Sequence, residues 1–233
     1  MLEGLVPSAV TANWDGLLEK AFKELTAAFD SLVNVAVRPE DFRIAGARIE
    51  VIKFHGCAVR ASENAAEYRD RLVARESQIS RWTAQPENRS MRKHLEMLYT
   101  DRLTLMVGLS AQDANLHTMF ANAIQDLARP WPASPPPVVL SEERLESHHR
   151  NLLRITYGAN HQGNSVAIAE SALLGAYGKP MLMALVLSSL TEKLSFLIEN
   201  EIESIWGSLA VQELQTNLLS LRDAAASHAD PED

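Results

Sequence analysis

The chain is 233 residues long, 46% hydrophobic, and carries a formal net charge of -8, proportions that suit one large or two small packed domains. An acidic balance with scattered arginines argues against a nucleic-acid surface, so no direct nucleic-acid contact is expected. The single cysteine, Cys57, excludes an internal disulfide, and with no charged-then-apolar leader at the N-terminus the expected location is cytoplasmic.

In chain order, Val6 to Ala12 is short, apolar and β-compatible, and Gly16 to Phe29 then places Leu17, Leu18, Ala21, Phe22, Leu25 and Phe29 at helical spacing. Ser31 to Arg38 alternates Val33, Val35 and Val37, which predicts a strand. Arg48 to His55 repeats the pattern, with Ile49, Val51 and Lys53 against Glu50, Ile52 and Phe54. Its end is apolar on both faces, as in a buried parallel strand. Ala61 to Tyr99 is polar and helical in character, with a break at Pro86-Glu87-Asn88. Leu103 to Val107 is a further buried strand ending at Gly108, and Ala114 to Leu127 is a helix with Leu116, Met119, Phe120, Ala123 and Leu127 on one side. Strands alternating with helices predict an α/β fold, a partial Rossmann-like parallel sheet with helices on both faces.

Pro130, Pro132, Pro135, Pro136 and Pro137 then fall within eight residues, a spacing that stiffens the backbone and interrupts hydrogen-bonded ladders. The expected organisation is therefore a sheet-containing domain over 1–128, a proline-rich linker over 129–140, a mainly α-helical C-terminal region over 141–225 and a flexible tail over 226–233. Within the helical region the elements are Glu142 to Ile155, Ser165 to Ala176, Pro180 to Ile198 and Glu199 to Arg222. The apolar run from Pro180 to Leu190 is shorter than the roughly 20 residues a bilayer requires, and Thr191-Glu192-Lys193 interrupts it, so it reads as a core helix with no membrane. The apolar stripe of Leu182, Leu185, Val186 and Leu190 continues through Leu194, Leu197, Ile198, Ile202, Ile205 and Leu209 and exceeds what one short helix covers. A homo-oligomer or a complex with a protein partner, built through 180–222, is expected.

Candidate chemistry lies in three turns. Thr11-Ala12-Asn13-Trp14-Asp15 follows the first strand, Phe54-His55-Gly56 ends the third, and Val107-Gly108-Leu109-Ser110 precedes Asp113 and Asn115. Read from the residues alone, each admits a structural account. Asp15 can cap the helix that starts near Gly16, His55 can be a satisfied core histidine, and Gly108 with Ser110 or Asp113 can be a glycine strand exit with a helix cap. His148, His149 and His161 do not make a metal site, because adjacent histidines on a helix point about 100° apart.

In their order and spacing over residues 5 to 125, these turns resemble the sirtuin-like family of NAD-consuming domains. The resemblance implies a Thr-X-Asn-X-Asp turn and a His-Gly pair at strand ends of a Rossmann-type sheet, with a Gly-X-Ser turn and trailing Asp closing a nucleotide site. Asn13 would hold the nicotinamide ribose or the attacking water, and His55 would contact the ribose hydroxyls and act as base. Thr11, Asn13, Asp15, Gly108, Ser110 and Asp113 would bind NAD, the substrate. Family members begin with a Gly-Ala-Gly-X-Ser turn, for which the lone Gly4 cannot stand in, so the expectation is a domain lacking its Gly-rich phosphate-binding part and hydrolysing NAD when that part is supplied. One cysteine cannot build the four-cysteine zinc module of the deacylase branch, which disfavours a protein deacylase and leaves no metal expected. The remaining branch hydrolyses NAD to nicotinamide and ADP-ribose in bacterial anti-phage defence. A non-catalytic binding or assembly protein on a truncated sirtuin-like scaffold is the alternative.

Overall fold

The computed structural model describes residues 1–227 apart from 3, 44, 45, 127, 128, 134, 177, 203, 204 and 206. Its architecture is α/β, with helices around parallel sheets and a helical C-terminal region. Two compact units emerge. The first comprises residues 1–102, 111–130 and 155–158, and the second residues 103–110, 131–154 and 159–233.

The first unit is built on a three-stranded sheet of β1 (Ser8–Thr11), β2 (Val33–Ala36) and β3 (Ile49–Lys53), in spatial order β1-β3-β2 and parallel throughout. Parallel neighbours cannot be joined by a hairpin. The chain therefore crosses from β1 to β2 through α1 (Leu17–Leu25) and α2 (Phe29–Leu32), and from β2 to β3 past a 3₁₀ turn at Pro39–Arg43. The single helix expected over 16–29 is broken in two because Thr26 is extended and its hydroxyl accepts the Ala28 N–H at 3.1 Å, a local bond that competes with helix continuation. All four residues of β2 are buried, so its valine alternation does not mark a solvent face. Phe22, Val33, Val35, Val37, Ile49, Val51, Cys57 and Tyr68 form the core of this unit.

Five helices follow in the same unit, α3 (Ala58–Glu63), α4 (Ala65–Tyr68), α5 (Glu76–Trp82), α6 (Arg89–Asp101) and α7 (Ala114–Asp126). Pro86–Asn88 forms a 3₁₀ turn at the expected break. Leu127, expected to end α7, lies outside the described residues.

The second unit holds a two-stranded parallel sheet of β4 (Thr104–Val107) and β5 (Val138–Ser141). β5 corrects the reading of 129–140 as a linker. The proline run ends at Pro137, whose carbonyl accepts the Thr104 N–H at 2.9 Å, and the residues directly after it recover full ladder pairing, Val138 opposite Thr104. Proline lacks an N–H but keeps its carbonyl, so the run can lead straight into a strand.

Helices α8 (Ser147–Tyr157), α9 (Ser165–Ala172), α10 (Lys179–Leu197) and α11 (Ser208–Ser227) complete the chain. The expected helix over 199–222 is interrupted by a π-helical turn at Ile198–Ile202 and by Gly207 at a φ of +82°. Residues 228–233 of the expected tail lie outside the described residues. Together with the first residues of the π turn, α10 gives 22 continuous residues, Lys179–Asn200, whose most apolar 18-residue segment has a mean hydropathy of 1.6, yet only 22% of that segment is buried. The expectation of a core helix fails here, because Leu182, Val186, Phe196 and Leu197 are all exposed.

Candidate functional site

β1 and β3 run side by side with Thr11 opposite Lys53. Asn13 and His55 each sit two residues beyond those partners, so both follow the carboxyl edge of neighbouring parallel strands, where open α/β sheets place their ligands. The turn after β1 holds itself together. The Thr11 hydroxyl accepts the Asn13 N–H at 3.0 Å, Asp15 Oδ1 accepts the Leu17 N–H at 3.0 Å, and the Trp14 carbonyl accepts the Ala58 N–H at 2.9 Å. The bond from Asp15 satisfies one of the free amides at the start of α1. With the backbone occupied in this way, Asn13 is exposed and its side chain makes no hydrogen bond among the described residues.

The turn after β3 is shaped by a close backbone approach. The Gly56 N–H donates to the Lys53 carbonyl at 3.1 Å and the His55 carbonyl accepts the Val73 N–H at 3.0 Å. Gly56 has a φ of +93°, and a Cβ there would stand 2.7 Å from the Arg71 carbonyl oxygen and 2.9 Å from its carbon. Glycine therefore follows His55 for two separate reasons, the backbone angle and the passing chain.

His55 is only 5% exposed. Its ring lies 4.2 Å from that of Phe54 and 6.3 Å from that of Trp82, centroid to centroid. Nε2 is 3.2 Å from Asp113 Oδ2 and 3.4 Å from the side-chain amide of the buried Asn115. An ionised carboxylate accepts only, so Asp113 holds the proton on Nε2 and leaves Nδ1 as the acceptor of the ring. Burial pulls the imidazole below its ordinary value, against the opposing pull of the Asp113 charge, and favours the neutral form. Asp113 has a second task, since its Oδ1 accepts the Asn115 N–H at 2.8 Å as the N-cap of α7. Nearby, Tyr99 stacks on Phe120 with 4.2 Å between ring centroids. Burial pushes the Tyr99 phenol well up, and the Asp113 charge adds to the shift.

Sequence reasoning overlooked Lys53 and Glu19. Lys53 is 1% exposed at the last paired position of β3. Its Nζ lies 2.7 Å from Glu19 Oε1 on α1 and 3.7 Å from Cys57 Sγ, and it donates to the Asp15 carbonyl. The available signal was a lysine closing a mostly apolar strand, two residues before a His-Gly pair.

In the second unit, Gly108 leaves β4 at a φ of +61°, and Ser110 is exposed. The turn between them is held from α8. His149, buried, places Nε2 at 3.0 Å from the Leu109 carbonyl while its Nδ1 accepts the Glu146 N–H at 3.2 Å. Both nitrogens of His149 are thereby occupied, and among the described residues no three His, Cys, Asp or Glu side chains gather as a metal site would require.

The structure thus groups Thr11, Asn13 and Asp15 in one turn and joins His55 to Asp113, both in the first unit, while Gly108 and Ser110 belong to the second. Comparison with curated proteins and with solved structures yields no match. A family model described as SIR2-like domain matches residues 7–161. The match runs past residue 128 through β5 and α8, and it contains all three candidate turns. It covers well over half of the chain, which therefore belongs to the SIR2-like domain family.

Proposed function

We propose that this chain is the SIR2-like part of an NAD hydrolase that releases nicotinamide and ADP-ribose, acting in bacterial anti-phage defence. The observation that carries the reading is the register of β1 and β3, which sets Asn13 and His55 at equivalent positions past one sheet edge. Departure of nicotinamide leaves an oxocarbenium-like centre on the ribose, so the protein must orient the sugar, place a water and take up a proton. The exposed Asn13 amide, free of other bonds among the described residues, supplies the orienting group. Neutral His55, its Nε2 proton fixed by Asp113, offers Nδ1 to a ribose hydroxyl or to the water. Family membership supports NAD as the substrate, and the single cysteine argues against the zinc-bearing deacylase branch.

The depth of His55 and the self-contained hydrogen bonding of the Thr11–Asp15 turn favour a second reading, a scaffold that binds a nucleotide or a partner without turnover. The two are separated by incubating the protein with NAD and resolving nicotinamide and ADP-ribose by chromatography, for wild type, Asn13→Ala and His55→Ala. Hydrolysis lost in both variants with the fold retained supports the enzyme. Full activity in both removes the catalytic assignment, and NAD binding without product supports the scaffold. Assembly into a homo-oligomer or with a protein partner through 180–222 is part of the proposal, supported by the exposed apolar side chains of α10 and α11.

A further inference from the structure

Lys53 carries a full charge into the interior and finds three neighbours there, the Glu19 carboxylate, the Asp15 carbonyl and the Cys57 sulfur. As a source of stability this is a poor arrangement. A buried ammonium and a half-buried carboxylate give up hydration, and an apolar pair of similar volume usually stabilises a core as well or better. The pair is also incompletely satisfied, since Glu19 Oε2 is buried without a hydrogen-bond partner among the described residues. What an apolar pair could not supply is direction. The ammonium is a donor aimed at the carbonyl of Asp15, the last residue of the turn that carries Asn13, and it projects from the end of the strand that leads into His55.

We infer that Lys53 is a positioning residue, which ties the Thr11–Asp15 turn to the end of β3 and so fixes the distance between Asn13 and His55. Glu19 holds the ammonium from the α1 side. The inference rests on the proposal that Asn13 and His55 serve one substrate. Its physical content is separate, because it concerns how firmly residues 11–17 are held.

The test replaces the ion pair by an apolar one, Lys53→Met with Glu19→Met, so that neither charge is left stranded. Backbone amide exchange over residues 11–17, the thermal midpoint, and kcat and KM for NAD hydrolysis are measured beside Asn13→Ala and His55→Ala. The expected result is a thermal midpoint near that of wild type, exchange over 11–17 faster by about tenfold or more, and kcat lowered by about 10²-fold with KM changed far less, the signature of a displaced group rather than a lost binding contact. Unchanged exchange over 11–17 overturns the inference whatever the activity. Faster exchange with wild-type kcat, while Asn13→Ala is inactive, also overturns it. Full activity in Asn13→Ala and His55→Ala overturns the site itself, a different failure. Should the double methionine variant not fold, Lys53→Gln with Glu19→Gln keeps both positions polar and uncharged while the residue-53 side chain is one bond too short to hold Asp15, and the same outcomes apply.

Discussion

Replacing Gly56 by alanine tests the geometry of the His-Gly turn directly. Two costs arise, and the structure lets them be separated. A non-glycine residue at a φ of +93° carries backbone strain of about 1–3 kcal/mol. The new Cβ would also stand within 3.0 Å of the Arg71 carbonyl and of Leu72 Cα. These are backbone atoms, which cannot turn aside as the tip of a side chain can, so an overpacking cost of about 1–3 kcal/mol is added. Gly163 provides the control, with a φ of +85° and nothing within 4 Å of the place a Cβ would take. Its alanine variant meets the angular cost alone. Urea unfolding followed by circular dichroism should therefore rank Gly56→Ala as the more destabilising by about 1–3 kcal/mol. Equal losses in the two variants would refute the claim that the chain at Arg71 and Leu72 dictates glycine after His55.

Asp113→Asn retains a good N-cap for α7 while removing the charge beside His55. It should lower kcat for NAD hydrolysis by about 10²-fold or more through loss of the fixed tautomer, and shift the acid limb of the pH profile downward, because the carboxylate raises the His55 pKa; an unchanged rate or an upward shift would contradict this. His55 itself should make stability depend on pH. Its folded pKa lies below the ordinary value, so the unfolded chain binds the proton first and stability falls as the pH drops from about 6.5 toward the folded value. Urea midpoints at pH 7.5 and 5.5 should differ more for wild type than for His55→Gln, and parallel losses would argue against a buried neutral imidazole. Leu197→Glu with Ile205→Glu, both exposed, should convert an assembled wild type into monomer by light scattering, whereas a monomeric wild type at high micromolar concentration would remove the assembly proposal.

The strands β1 to β4 were legible because each is a short apolar run bounded by turn residues, and their alternation with helices specified parallel pairing. β5 was hidden by its neighbours. Five prolines in eight residues look like an interruption, and nothing in composition says that the residue after the last one regains its ladder. Thr11 to Asp15, His55 and Asp113 stood out in the sequence through the likeness of their turns to those of the sirtuin-like family. Their internal hydrogen bonds were not legible, since a cap and a ligand-binding turn use the same residue types. Lys53 escaped notice because lysine in a strand ordinarily marks the solvent side, and only its carboxylate partner on another element shows otherwise. The exposure of α10 was illegible for the converse reason. Apolar composition reports what a helix prefers, and not whether the rest of the chain supplies a cover.

The double engagement of Asp113 gives the first turn of α7 and the protonation of His55 a common currency. One oxygen of the carboxylate caps the helix and the other holds the imidazole, so neither bond can be altered without a free-energy change felt by the other. Linkage makes the effect reciprocal. Whatever draws His55 away from Asp113 leaves that carboxylate less well oriented at the helix end, and whatever frays the helix end releases the tautomer of His55. Substitutions along the buried face of α7, at Leu116, Met119 or Phe120, will therefore register in the acid–base behaviour of His55.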